Sequence, residues 1–225
     1  MTVTDVNVVK SAIFERPDDA NKGTLGSLLC VCGSYGMAGA AVMSAKGALR
    51  TGIGLAKCAL PRSIYPIVAQ TILESVYYPL NENADGRISK VNVPFLVSES
   101  CKSSATLVGC GLGVCDDTLK IVFSLIENST TPLVLDADAL NCVAKQPEIL
   151  LRKKAPIIIT PHPGEMSRLT GLATPLVNAE RERVALDFAQ KYGVVTVLKG
   201  AGTVIASPNG KVLVNPTGNS GMATG

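Results

Sequence analysis

Two segments near the end of the chain carry residues suited to holding a phosphate. The first runs from Asn215 through Pro216, Thr217, Gly218, Asn219, Ser220, Gly221, Met222, Ala223 and Thr224 to Gly225, after the strand-like run Lys211 to Val214. Glycines and small residues after a strand let backbone N–H groups converge on an anion, usually with a helix N-terminus behind them. The second is Lys199, Gly200, Ala201, Gly202, Thr203. A lysine at a strand end before two glycines suits a nucleotide phosphate or ribose, and equally a plain hairpin turn. The closeness of the two segments favours the phosphate.

Four further groupings could carry chemistry. Gly33, Ser34, Tyr35, Gly36, Met37, Ala38, Gly39, Ala40 and Ala41 close one apolar run and open a helix-like one. Their small size admits either a ligand at a helix N-terminus or tight strand-to-helix packing; the glycines are evenly three apart, unlike a dinucleotide fingerprint. Val108 to Gly113 is a second glycine cluster at a strand end, where ligands of open α/β sheets bind. Asp136 stands at the tip of the run Leu133–Leu135, able to orient a phosphate or a metal-bound water, while Asp138 reads as an N-cap. Thr160, Pro161, His162, Pro163, Gly164, Glu165 fixes the only histidine between two prolines, with Glu165 suited to a first helical turn.

The elements that must position these groups alternate along the chain. Strands are expected at Ser27–Cys32, Leu55–Leu60, Thr106–Gly109, Leu133–Leu135, Ile157–Thr160, Val194–Leu198 and Thr203–Ala206, and helices at Ala40–Thr51, Asp117–Glu127, Asp138–Ala144 and Asn178–Lys191. Continuous apolar runs such as Val194 to Leu198 fit strands covered on both faces. The alternation predicts an α/β fold with a mostly parallel, doubly wound sheet. Thr203–Ala206, then Pro208-Asn209-Gly210, then Lys211–Val214 predicts a β-hairpin near the end. Asn81–Arg87 reads as an exposed loop, and no linker or repeat interrupts residues 1–225, so a single domain is expected.

Composition excludes several classes. Hydrophobic residues make up 47% and charged residues 17%, against disorder, and a net charge of +3 without basic clusters argues against nucleic acid. No apolar run reaches membrane-spanning length, and the N-terminus lacks a signal-peptide pattern. Seven cysteines, mostly within apolar runs, fit reduced thiols of a cytoplasmic protein, and one histidine makes a zinc site improbable.

The blocks G-S-Y-G-M-A-G-A-A from Gly33, V-G-C-G-L-G from Val108, L-D-A-D-A-L-N from Leu135, I-T-P-H-P-G-E from Ile159, L-K-G-A-G-T from Leu198 and N-P-T-G-N-S-G-M-A-T-G from Asn215 resemble, in order, the ADP/ATP-dependent NAD(P)H-hydrate dehydratases of the ribokinase-like superfamily. The resemblance implies a three-layer ribokinase-like fold and a metabolite-repair lyase. Such enzymes dehydrate the hydrates of NADH and NADPH (NADHX, NADPHX) at the expense of ADP, giving AMP and phosphate, or of ATP, with Mg2+. It places Gly39, Ala40, Gly111 and His162 at the hydrate and Lys199, Gly200, Ala201, Gly202 and Thr203 at the nucleotide. Asp136, Asn215 and Gly225 would orient phosphate or metal, with no direct protein ligand to the metal. Family members are usually homo-oligomers.

In the family a further G-[ST]-G-D follows A-T-G, its aspartate being the presumed base. The expectation is therefore that the catalytic base and the final helices lie beyond Gly225, and that the 225 residues alone are poorly active. Two other readings stay open: a small-molecule kinase of the same superfamily (hydroxymethylpyrimidine or pyridoxal type), and a nucleotide-binding relative without catalysis.

Overall fold

Alternating apolar runs and helical patterns assemble around one sheet. The computed structural model describes residues 2–3, 10 and 16–222, so Gly225 lies outside the described residues. The strands are β1 (Thr2–Val3), β2 (Ser27–Val31), β3 (Leu55–Pro61), β4 (Val76–Leu80), β5 (Ala105–Val108), β6 (Leu133–Leu135), β7 (Ile157–Ile159), β8 (Val195–Leu198), β9 (Thr203–Ala206) and β10 (Val212–Asn215). Their order across the sheet is β1-β10-β9-β8-β7-β6-β5-β2-β3-β4. From β8 to β4 every neighbouring pair is parallel, while β9 runs antiparallel to both β8 and β10. The expected hairpin is β9–β10, closed by Ser207 N–H to the Lys211 carbonyl at 2.9 Å. The Lys199–Gly202 segment is itself the turn between β8 and β9.

The helices are α1 (Ala38–Thr51), α2 (Tyr65–Thr71), α3 (Val93–Cys101), α4 (Asp116–Asn128), α5 (Asp138–Val143), α6 (Pro163–Thr170), α7 (Thr174–Ala179) and α8 (Arg181–Tyr192). Alternation along the strands splits their side chains between two apolar clusters. Cys30, Cys32, Cys58 and Leu60 pack with Ala41 and Ala45 of α1 and Val68 of α2. Leu29, Val31 and Ala59 join the other cluster with Leu96 of α3 and Ile121, Val122 and Leu125 of α4. Both faces of the sheet are thus covered, as the doubly wound expectation requires.

Three expectations need correction. Asn178–Lys191 is two helices: Glu180, at φ −124° and ψ 41°, breaks the chain between α7 and α8. Asp138 is the first residue of α5 rather than its N-cap, a place taken by Ala137. Strand β4 and helices α2, α3 and α6 add to the expected set. Among the described residues no helix is long and apolar enough to cross a membrane.

Because β2, β5, β6, β7, β8 and β10 all point the same way, the segments following them gather along one edge of the sheet. The chain leaves β2 toward β3 on one side and returns to β5 on the other. The crevice between β2 and β5 is the switch point where open α/β sheets take ligands.

Candidate active site

At the switch point the two glycine clusters interlock. Gly33 N–H donates to the Cys110 carbonyl at 2.8 Å, and the buried Ser34 hydroxyl donates to the Gly111 carbonyl at 2.8 Å. Gly111, at φ 65°, lies so close to α1 that a Cβ there would fall 2.7 Å from Cβ of Ala40 and 3.0 Å from that of Met37. Gly39, Ala40 and Gly111 are therefore brought together. Met37 caps α1 without a side-chain acceptor, and among the described residues the N–H groups of Ala38 and Gly39 find no backbone acceptor. The positive end of a 14-residue helix thus faces the crevice.

Three neighbouring strand ends meet at Asp136. Its Oδ1 accepts from Lys199 Nζ at 2.6 Å and from the Thr160 hydroxyl at 2.7 Å. Its Oδ2 lies 3.5 Å from the Cys110 thiol, which ties this group to the glycine crevice. Burial alone would raise the Asp136 carboxyl, but the bonds from Lys199 and Thr160 outweigh it and hold it below the ordinary carboxylate range. Ala137, next in the chain, is the only non-glycine residue with positive φ among those described, at 49°. Strain of this kind persists where surrounding structure enforces it. Here it separates two carboxylates: Asp136 meets Lys199, while Asp138 accepts from Gly113 N–H at 2.8 Å and from Asn141.

The β8–β9 turn leaves main-chain donors unused. Among the described residues, the backbone N–H groups of Gly200, Ala201 and Gly202 donate to no protein acceptor. Three successive free donors beside an ammonium suit phosphate oxygens. The Thr203 hydroxyl closes the turn by donating to the Gly200 carbonyl at 3.0 Å. An open cavity of about 670 Å³ adjoins it, walled by Ala201, Gly202, Val204 and Val214 on one side and by the junction of α7 and α8 on the other. Asn215 sits opposite Thr203 in the β9–β10 register, and its Oδ1 accepts from the Thr217 N–H and hydroxyl. It therefore shapes the start of the glycine-rich tail.

His162 has a structural task as well as an exposed ring. It caps α6: Nδ1 accepts from the N–H groups of Gly164 at 3.0 Å and Glu165 at 3.3 Å, while the buried Glu165 carboxylate accepts from His162 N–H at 2.8 Å. An accepting Nδ1 leaves the ring proton on Nε2, which lies 3.4 Å from Glu165. The Lys199 N–H bonds the Pro161 carbonyl at 2.8 Å, setting the histidine segment beside the lysine turn.

Residues expected from the sequence thus fall into two joined groups, Gly39, Ala40 and Gly111 at the crevice and Lys199 to Thr203 with Asp136 beside it. Arg181 was not expected: its Nη2 donates to the carbonyls of Leu198 at 2.9 Å and Gly202 at 3.4 Å. In the sequence that helix shows only in the four-residue spacing of Val184, Phe188 and Tyr192, and nothing local sets its first residue apart.

Comparison with known proteins places this geometry. A family model described as NAD(P)H-hydrate dehydratase matches residues 28–225. A bifunctional NAD(P)H-hydrate repair enzyme of Thermofilum pendens is 40% identical over 209 residues, which are 93% of this chain and 40% of that protein. The chain therefore spans about two fifths of that longer relative. The crystal structure of an ADP/ATP-dependent NAD(P)H-hydrate dehydratase from Bacillus subtilis, co-crystallized with ATP/Mg2+, superposes with a TM-score of 0.83 at 30% identity, over 100% of this chain and 76% of that one. A ribokinase-like superfamily protein from Enterococcus faecalis, 21% identical, shares the fold at a TM-score of 0.83 over 100% of this chain and 74% of its own. The fold is ribokinase-like, and the chain belongs to the NAD(P)H-hydrate dehydratase family.

Proposed function

We propose that this chain binds hydrated NADH or NADPH and an adenine nucleotide along the carboxyl edge of its sheet, and serves their nucleotide-dependent dehydration. The observation that carries this reading is the Lys199–Gly202 turn, with three free N–H donors and an ammonium fixed by Asp136, joined through Cys110 to the crevice of Gly39, Ala40 and Gly111. Phosphates of ADP or ATP would lie on the turn and the nucleoside in the adjoining cavity. The hydrate would lie in the crevice, within reach of the exposed edge of His162.

The chemistry follows from charge. The hydroxyl on the hydrated nicotinamide ring attacks the terminal phosphoryl group, and AMP leaves when ADP is the donor. The ring nitrogen's lone pair then expels phosphate to leave an iminium, and loss of the proton from the adjacent ring carbon, to the departing phosphate or to water, restores the reduced ring. Lys199 and the turn N–H groups would stabilise negative charge on the transferred group, which is where catalysis of phosphoryl transfer resides. The base that takes the hydroxyl proton would be, on the resemblance, the aspartate of the family's G-[ST]-G-D.

Among the described residues no three acidic, histidine or cysteine side chains gather as a metal cage, and Asp136 is already engaged by Lys199 and Thr160. That donor set fits a magnesium ion held by phosphate oxygens and water, where it would supply charge neutralisation. Seven unpaired thiols, four of them buried, support a reducing compartment such as the cytoplasm.

The test is incubation with hydrated NADH, magnesium and either ADP or ATP. Nucleotide-dependent return of the reduced-nicotinamide absorbance is expected when the protein carries the family's G-[ST]-G-D segment; binding of nucleotide with no effect of the hydrate would count against the reading.

A further inference from the structure

Arg181 opens α8 under the β8–β9 turn, and four observations set it apart from a surface arginine. Its Nη2 donates to the carbonyls of Leu198 and Gly202, the two residues that bracket Lys199, Gly200 and Ala201. The Gly200 backbone, at φ 148°, lies against the guanidinium so closely that a Cβ would fall 2.7 Å from Nη1 and 3.0 Å from Cζ. Nε is shut from solvent and, among the described residues, finds no acceptor. No described carboxylate forms an ion pair with Arg181; the adjacent Glu180 is taken by Arg183.

These facts have one physical reading. A turn with two glycines samples many conformations, and holding it in one is entropically costly. Turning both flanking carbonyls onto one cation fixes the turn, whose N–H groups find no acceptor among the described residues. Burial without a counter-charge disfavours the charged guanidinium, as the lowering of its pKa reflects. An anion arriving on the other side of the turn relieves that penalty.

We propose that Arg181 is a positioning residue for the nucleotide: it holds the Lys199–Gly202 turn open to the phosphates and adds an uncompensated positive charge beneath them. The proposal rests on the reading of this turn as a nucleotide site. A lysine replaces it only in part, since an ammonium can meet the carbonyls but lacks the planar guanidinium that packs against Gly200.

Calorimetry with ADP or ATP and magnesium tests this on R181A and R181K, alongside the hydrate's KM and the thermal midpoint. R181A is expected to weaken nucleotide binding about tenfold to a hundredfold, as loss of charge-assisted hydrogen bonds does, with the hydrate's KM little changed. R181K should recover only part of the loss, and methylguanidinium added to R181A should restore affinity where tetramethylammonium does not. G200A offers a second route, because its methyl crowds the guanidinium and, at φ 148°, strains the turn that carries the donors; the same nucleotide-selective loss is expected. Unchanged nucleotide affinity in folded R181A and G200A, or equal losses for nucleotide and hydrate, would overturn the proposal. Absence of nucleotide binding by the wild-type protein would instead overturn the nucleotide reading, and the proposal with it.

Discussion

Lys199, at the end of β8, meets Asp136, at the end of β6, at 2.6 Å across the intervening strand β7. Thr160 of the β7 end donates to the same carboxylate oxygen, so one acid aligns groups from three strand ends. The two residues are 63 positions apart in the chain. The pair belongs to tertiary structure alone, and it fixes where the only cation of the turn points.

The first prediction concerns that pair. Lys199→Ala should lower kcat/KM by about a hundredfold to a thousandfold, the scale for losing a group aimed at developing charge. Asp136→Asn, which preserves shape, should cost less, because the ammonium remains but is no longer fixed. In the Lys199→Ala background, Asp136→Asn should add little, since two residues acting as a unit are not additive. Steady-state kinetics of the single and double variants decide this; full additivity would mean that Asp136 acts apart from Lys199.

A pH dependence of stability follows from the same carboxylate. Its folded pKa is lowered, so its contribution is present above the unfolded value of about 3.9 and is lost as pH falls through the folded value. Denaturation midpoints of the wild type should fall toward those of Asp136→Asn as pH drops below about 4, where the unfolded carboxyl also titrates. A gap between the two proteins that persisted or widened in acid would contradict the assignment.

His162 separates capping from recognition. His162→Ala removes the acceptor for Gly164 and Glu165 and should cost about 1 kcal/mol of stability, the usual price of a lost N-cap. His162→Asn retains a capping side chain and should restore most of that stability. If the ring edge contacts the hydrate, both variants should raise its KM, so urea melts and kinetics would diverge for the asparagine variant.

Two glycines at the crevice should respond oppositely in stability. At Gly111 an added methyl meets Ala40 and Met37 on a backbone of positive φ, and Gly111→Ala should destabilise by about 1–3 kcal/mol. At Gly39 nothing lies within 4 Å, and Gly39→Ala sits in the first turn of a helix. Its stability should stay level or rise by up to about 1 kcal/mol, while the methyl occupies space assigned to the hydrate and raises its KM. Thermal melts read beside kinetics would show whether that open space is a ligand seat.

The elements legible in the sequence were those with continuous apolar runs, such as β7 and β8, or a clean helical period, such as α8. Strand β4 escaped because it is an edge strand: Val76 and Pro79 are exposed, and Pro79 is tolerated only where a ladder bond is not needed. Helices α2 and α3 begin with Tyr65-Pro66 and Val93-Pro94, which read locally as breaks although proline suits a first helical turn. The glycine clusters and Lys199 were visible because their residue types are unusual at strand ends. Arg181 was hidden, since its partners are main-chain carbonyls of Leu198 and Gly202 that no residue pattern advertises.

The most direct measurement quantifies nucleotide product and NADH together when the protein turns over hydrated NADH with ADP and magnesium. One AMP and one phosphate are expected for each NADH restored, with no stable phosphorylated hydrate remaining. A phosphorylated product that accumulates without NADH would identify a kinase and contradict the dehydration proposed for this site.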